Sequence, residues 1–178
     1  FKKAEVAMNR VKANGKNNFL VFDPHMNESI QHKALLQQEL KAALQNGELL
    51  LYYQPKFNLK DDCFDGFEAL IRWNHPERGF IPPGEFISVA EESNLINEIG
   101  AWVLESACIF IKKFNQEHQK NFNIAVNVSF IQFFSDGFEE FVCNILGKYE
   151  LEPKYLELEI TESVFVNSMD IAYGKLHF

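Results

Sequence analysis

Residues Phe67–Gly79 read FEALIRWNHPERG, and they set a glutamate and an arginine into what otherwise looks like a buried strand. Counted by twos, Phe67, Ala69, Ile71 and Trp73 share one face of an extended segment, while Glu68, Leu70 and Arg72 share the other. A solvated sheet face accounts for two charges on one side. The alternative is that other strands repeat the pattern and that their polar residues work together.

Two later segments do repeat it. In NIAVNVSF, residues 123–130, Ile124, Val126, Val128 and Phe130 fall on one face, and Ala125, Asn127 and Ser129 on the other. In YLELEIT, residues 155–161, Leu156, Leu158 and Ile160 oppose Glu157, Glu159 and Thr161. A closed α/β barrel packs the outer strand face under helices and turns polar side chains near the C-terminal strand ends inward. In that arrangement Glu68, Asn127 and Glu159 converge. Two carboxylates and an amide offer oxygen only, which suits Mg²⁺ or Mn²⁺ better than zinc. An antiparallel sheet with one wet face fits the alternation equally well, and spacing alone does not choose.

Composition narrows the class. The 178 residues are 47% hydrophobic and 24% charged, as in an ordinary globular protein, and 18 phenylalanines imply a substantial core. A net charge of −8 with no Lys/Arg cluster argues against affinity for long nucleic acid. Cys63, Cys108 and Cys143 lie far apart without a CxxC pair, so neither zinc nor a disulfide framework is indicated and a reduced, cytoplasmic setting is expected. No apolar run is long enough to cross a bilayer and no leader is visible, so no membrane contact by this segment is expected. The five histidines are scattered, and a lone one such as His75 reads as a hydrogen-bonded structural residue.

Along the chain, residues 1–28 read as a terminal remnant, a helix with Ala4, Ala7, Met8 and Val11 at helical spacing followed by the short strand FLVF. Residues 29–47 read as a linker helix, capped by Ser29, lined by Ile30, Leu36, Leu40 and Leu44, and stopped by Gly47. A strand ending at Gln54-Pro55 and the FEALIRW strand follow. From Pro82-Pro83 come two helices broken near Asn94 and Gly100, then a third strand at 123–130, a helix at 138–146, a fourth strand at 155–161 and a closing helix through Tyr173. Strands separated by long helices indicate α/β architecture with a mostly parallel sheet.

The motifs carry a resemblance. YYQP at 52–55, FEALIRW at 67–73, GEFISVAEESNLI at 84–96, NVS at 127–129 and LELEITES at 156–163 stand in the order and context of the EAL domain of bacterial cyclic di-GMP phosphodiesterases. The stretch AEVAMNRVKANGKNNFLVF, residues 4–22, resembles the end of a GGDEF (diguanylate cyclase) domain. The resemblance implies a TIM-like (β/α) barrel of EAL type with one antiparallel strand, hydrolysing cyclic di-GMP to the linear dinucleotide with Mg²⁺ or Mn²⁺. It implies Glu68, Asn127 and Glu159 as metal ligands, Glu162 as a support for a neighbouring loop, and Gln54, Leu70 and Arg72 as substrate contacts, Arg72 at a phosphate. Glu157 reads as a solvated or salt-bridged neighbour, and Glu91-Glu92 as helical residues facing water.

Departures from the family's pattern set a limit. Asn94 replaces a usual glycine, and asparagine tolerates the left-handed turn next best. A complete barrel has eight strands in about 250 residues, whereas residues 48–178 hold only the N-terminal half. The family's adjacent aspartate pair, its catalytic lysine and its later glutamate ligand have no counterpart in these residues. This chain alone is therefore expected to be inactive, needing a homodimer or the missing half of the barrel for completion. A non-catalytic EAL-like module that binds cyclic di-GMP or docks a partner is the alternative.

Overall fold

The computed structural model of the chain describes Met8 and residues 23–160. Helix α1 spans Pro24–Asn46. It starts five residues before the expected Ser29, and Pro24 suits the first helical position, where its missing N–H costs nothing. Leu36, Leu40 and Ala43 form its buried stripe, whereas Ile30 is half exposed, against expectation, because only the second half of the helix lies on the core. Gly47, with φ +70°, ends it.

Strands β1 (Leu49–Asn58) and β2 (Cys63–His75) form an antiparallel hairpin, paired from Leu49↔Trp73 to Asn58↔Cys63. Strand β1 runs past the expected stop at Gln54-Pro55. Among the described residues β1 lies at the sheet edge, where Pro55 is tolerated, with a register shift just beyond it between Lys56 and Phe57. The three-residue β3 (Gly79–Ile81), not anticipated from sequence, pairs antiparallel with the end of β2. Helices α2 (Pro83–Glu92) and α3 (Leu95–His118) then lead to β4 (Asn123–Val128), which runs parallel to β2. The short α4 (Phe130–Phe133), α5 (Phe138–Lys148) and a 3₁₀ turn at Pro153–Tyr155 lead to β5 (Leu156–Ile160), parallel to β4.

The sheet order among the described residues is β1-β2-β4-β5, with β3 beside β2. One antiparallel strand followed by parallel strands with helical crossovers is the start of a barrel, and it excludes an all-antiparallel sheet with one wet face. The expected helix break occurs only at Asn94, whose φ of 60° places it in the left-handed region. Gly100 lies within α3.

Helix α3 packs over β1, β2 and β4. Its residues Ile99, Val103, Leu104, Ala107, Cys108 and Ile111 recur at helical spacing and are buried in one core with Ile124, Val126 and Val128 of β4. An aromatic cluster extends that layer: Tyr53 stacks on Phe110 at 3.6 Å, and Phe67 meets Phe110 and Phe114 edge-on. Burial, with the Glu105 carboxylate adding to it, pushes the Cys108 thiol up to about 11, so it acts as a small hydrophobe. Cys63 and Cys143 are exposed, and all three cysteines are free. Among the described residues no helix is long and apolar enough to cross a membrane. The helix and strand expected within residues 1–22, the closing helix and Glu162 lie outside the described residues.

Candidate functional site

Paired residues on adjacent strands project to the same side of a sheet, so the registers define the face opposite the helices. Leu50, Tyr52, Gln54 and Lys56 of β1 stand opposite Arg72, Leu70, Glu68 and Gly66 of β2. Gly66 and Glu68 pair with Asn123 and Ala125 of β4, and Ala125 and Asn127 pair with Glu157 and Glu159 of β5. One continuous face thus carries every candidate ligand and substrate contact within the described residues. Asn127 and Glu159 are each the last residue but one of their strands, at the C-terminal end where barrel sites form.

The centre of the face is a diagonal pair. Asn127 Nδ2 donates to Glu68 Oε1 at 2.8 Å across the β2–β4 ladder. Glu159 is the register neighbour of Asn127, and its Oε1 lies 3.7 Å from Lys56 Nζ. Lys56 reaches across from β1 and donates to Glu157 Oε2 at 2.6 Å, an oxygen that Asn123 Nδ2 also approaches at 3.4 Å. Burial alone would lower the Lys56 pKa. The hydrogen bond to Glu157 and the charges of Glu157, Glu159 and Asp65 outweigh it, so the net shift is upward and the ammonium stays charged.

Glu68, Asn127 and Glu159 provide hard oxygen donors on adjoining strands, the donor chemistry that Mg²⁺ and Mn²⁺ prefer. Asn127 turns its amide nitrogen to Glu68, so a shared cation requires a half-turn of the amide to present Oδ1. Among the described residues no three His, Cys, Asp or Glu side chains cluster as a ready cage; the third donor here is an amide.

Beside this row a cavity of about 240 Å³ opens between the sheet and helices α2 and α3, where Leu70, Arg72 and Asn127 meet Ile87, Glu91 and Ile96. Arg72 is part buried; its Nη1 donates to the Ile71 carbonyl at 2.8 Å and its guanidinium lies 5.6 Å from the Tyr52 ring centroid. These contacts aim a planar, permanently charged donor group along the polar face. Glu92 faces solvent in an ion pair with Lys33, as expected of a surface residue. Glu91, by contrast, lines the cavity.

The loop after Asn127 is fixed by a capping box. Ser129 caps α4 by accepting from Gln132 N, and Gln132 Oε1 accepts from Ser129 N at 3.2 Å. The buried Gln132 side chain runs against Gly100, where an added Cβ would lie 1.6 Å from its Nε2. Gly100 is needed there for close approach. Gly100→Ala is expected to cost about 1–3 kcal/mol by overpacking, despite the gain in helix propensity. Denaturant unfolding of Gly100→Ala with and without Gln132→Ala tests this: a cost unaffected by removing Gln132 would show that the glycine serves something else.

The structure therefore brings Glu68 and Asn127 into contact, sets Glu159 beside them, and gathers Gln54, Leu70 and Arg72 on the same side. Glu157 is salt-bridged, as the sequence suggested. His75 is buried, and its Nδ1 accepts the Glu77 and Arg78 amides at 3.1 and 3.2 Å, a structural role. Lys56 and Gln132 were not singled out from sequence, and Glu91 was expected to face water rather than line the cavity. For Lys56 the signal was its place in the period of two, on the face of Gln54; for Gln132 it was the S-x-x-Q capping spacing.

Comparison with known proteins bears on the family and the fold. The EAL domain family profile matches residues 37–177. The chain is 40% identical over 167 residues to the bifunctional diguanylate cyclase/cyclic di-GMP phosphodiesterase MucR of Pseudomonas aeruginosa, covering 94% of this chain and 24% of that protein. It is 34% identical over 173 residues to the cyclic di-GMP phosphodiesterase PdeR of Escherichia coli, covering 97% and 26%. Among solved structures it superposes on the PaMucR phosphodiesterase in complex with c-di-GMP with a TM-score of 0.76 at 40% identity, covering 80% of this chain and 57% of that one. The chain thus spans about a quarter of the length of these curated relatives.

Proposed function

The chain belongs to the EAL domain family, and on that premise we propose that residues 48–178 form the N-terminal half of a cyclic di-GMP phosphodiesterase domain. In this reading residues 29–47 are its linker helix and residues 1–28 the end of a GGDEF-like domain. The observation that carries the catalytic reading is the intact polar face: the Glu68–Asn127 hydrogen bond of 2.8 Å, with Glu159 next to it in the ladder and Arg72 on the same side.

Each residue type answers a need of phosphodiester hydrolysis. The substrate is anionic and repels both a nucleophile and an acidic protein, so positive charge must be local. Glu68, Asn127 and Glu159 would hold Mg²⁺ or Mn²⁺, which when bound supplies Lewis-acid stabilisation of charge on a phosphoryl oxygen. Arg72 directs a fork of N–H donors at a phosphate, giving geometry as well as charge. Leu70 and the apolar walls of the neighbouring cavity offer a surface for a flat base. Gln54, exposed on the edge strand opposite Glu68, adds an amide able to donate and accept.

The test uses protein carrying the whole domain, incubated with cyclic di-GMP and either Mg²⁺ or Mn²⁺, with products separated by chromatography. Metal-dependent appearance of the linear dinucleotide supports the proposal. Binding of cyclic di-GMP without turnover in either metal would replace it with a non-catalytic binding module.

A further inference from the structure

We propose that Lys56 is a positioning residue for Glu159, a cation supplied by the chain itself that holds this carboxylate in place beside Asn127. The inference rests on reading Glu68, Asn127 and Glu159 as a cation site. Lys56 belongs to β1, yet its ammonium lies 2.6 Å from Glu157 Oε2 and 3.7 Å from Glu159 Oε1, on β5. Strands β2 and β4 lie between them. Neighbouring strands are about 4.8 Å apart, so a lysine and a glutamate meet over three such intervals only on a sheet that curves inward along an open path.

Two small residues open that path. Gly66 is the partner of Lys56, and Ala125, between Asn123 and Asn127 on β4, carries only a methyl group. At Gly66 an added Cβ would lie 1.8 Å from Asn123 Oδ1, so Asn123 already occupies the space above that glycine. Asn123 then donates to the same Glu157 oxygen that binds Lys56. The ammonium is fixed at Glu157 and extends its second interaction to Glu159.

This arrangement does two things for the row. It neutralises Glu157, which otherwise stands two residues from Glu159 on the same face as a rival oxygen donor. It also restrains one oxygen of Glu159, leaving the other oxygen to turn toward Asn127. Side chains that orient a metal ligand typically change metal affinity by about 10–100-fold when removed. A cation acting by repulsion alone would have the opposite sign, because its removal would tighten binding of another cation.

The sign is decisive. Mn²⁺ binding is measured by titration calorimetry on the protein carrying the whole domain, for the unaltered protein and for Lys56→Met, Lys56→Arg, Glu157→Gln and the Lys56→Met/Glu157→Gln pair. The expected result is Mn²⁺ binding weakened about tenfold by Lys56→Met, largely restored by Lys56→Arg, and weakened no further by adding Glu157→Gln. Half-maximal activation then requires correspondingly more Mn²⁺, with kcat at saturating Mn²⁺ within about twofold of the unaltered protein, since Lys56 acts only through Glu159. Unchanged or tighter binding in Lys56→Met overturns the inference. If Lys56→Met does not fold, Glu157→Gln alone carries the test, and unchanged Mn²⁺ affinity in that variant overturns it equally. Failure of the unaltered protein to bind Mn²⁺ would overturn the cation site itself and this inference with it.

Discussion

Glu68→Gln is expected to lower kcat for cyclic di-GMP hydrolysis by about 10³-fold or more, the equivalent of roughly 4 kcal/mol of lost charge stabilisation at the phosphoryl group. The substitution removes one negative charge and almost no volume. A glutamine carbonyl at position 68 can still accept from Asn127 Nδ2, the 2.8 Å bond that joins β2 to β4, so the fold has little reason to change. In the proposed reading substrate affinity rests on Arg72 and the cavity walls, so binding of cyclic di-GMP should stay within a few-fold of the unaltered protein. The measurement is single-turnover hydrolysis alongside equilibrium binding. A variant that kept a tenth of its activity would show that Glu68 is not a metal ligand, and a variant that lost binding in step with turnover would move Glu68 to the substrate.

Trp73→Ala is expected to have the largest effect on stability, about 3–5 kcal/mol, the range for deleting a buried aromatic side chain. Trp73 has no exposed surface. Its position is a node: its Cα partners are Leu49 in β1 and Ile81 in β3. Its ring meets Phe86 of α2 edge-on at 5.6 Å, and its Nε1 donates to Glu48 Oε2 at 3.1 Å, just before β1 begins. Removing it opens a cavity where the hairpin, β3 and α2 meet and deprives that glutamate oxygen of its donor. With a urea m-value of about 2–3 kcal/mol/M, the unfolding midpoint should fall by about 1–2 M. Trp73→Phe retains most of the packing and should lose about 1–2 kcal/mol, mainly the hydrogen bond and part of the ring contact. An alanine variant that lost less than about 1 kcal/mol would place the centre of the core elsewhere.

Much of the fold was legible because its signals are local. Strand β2, with Trp73 on the buried side and Glu68 and Arg72 on the other, follows from a period of two. The left-handed turn at Asn94 follows from a residue that tolerates it, and the stop at Gly47 from one that adopts positive φ freely. Where local reading failed, tertiary contacts decided. Gly100 looked like a helix break, but it sits inside α3 because Gln132 needs the space its side chain would fill. Pro55 looked like a strand end, but an edge strand can carry a proline. Strand β3 has only three residues and exists because the end of β2 offers it a partner.

The same division holds for the site. Sequence by itself determined which residue types stand on the polar face: Glu68, Asn127 and Glu159 as oxygen donors, and Arg72, in the proposed reading the phosphate-facing cation. Side-chain type and alternation are properties of each strand alone. Tertiary structure decided which of them meet, that Asn127 bonds Glu68 across the ladder, and that Lys56 of the first strand spans the sheet to Glu157 and Glu159 of the last described one. Those relations depend on parallel register, on curvature and on the small side chains at Gly66 and Ala125. A strand fixes which face each of its side chains takes, but only pairing with its neighbours fixes what stands opposite.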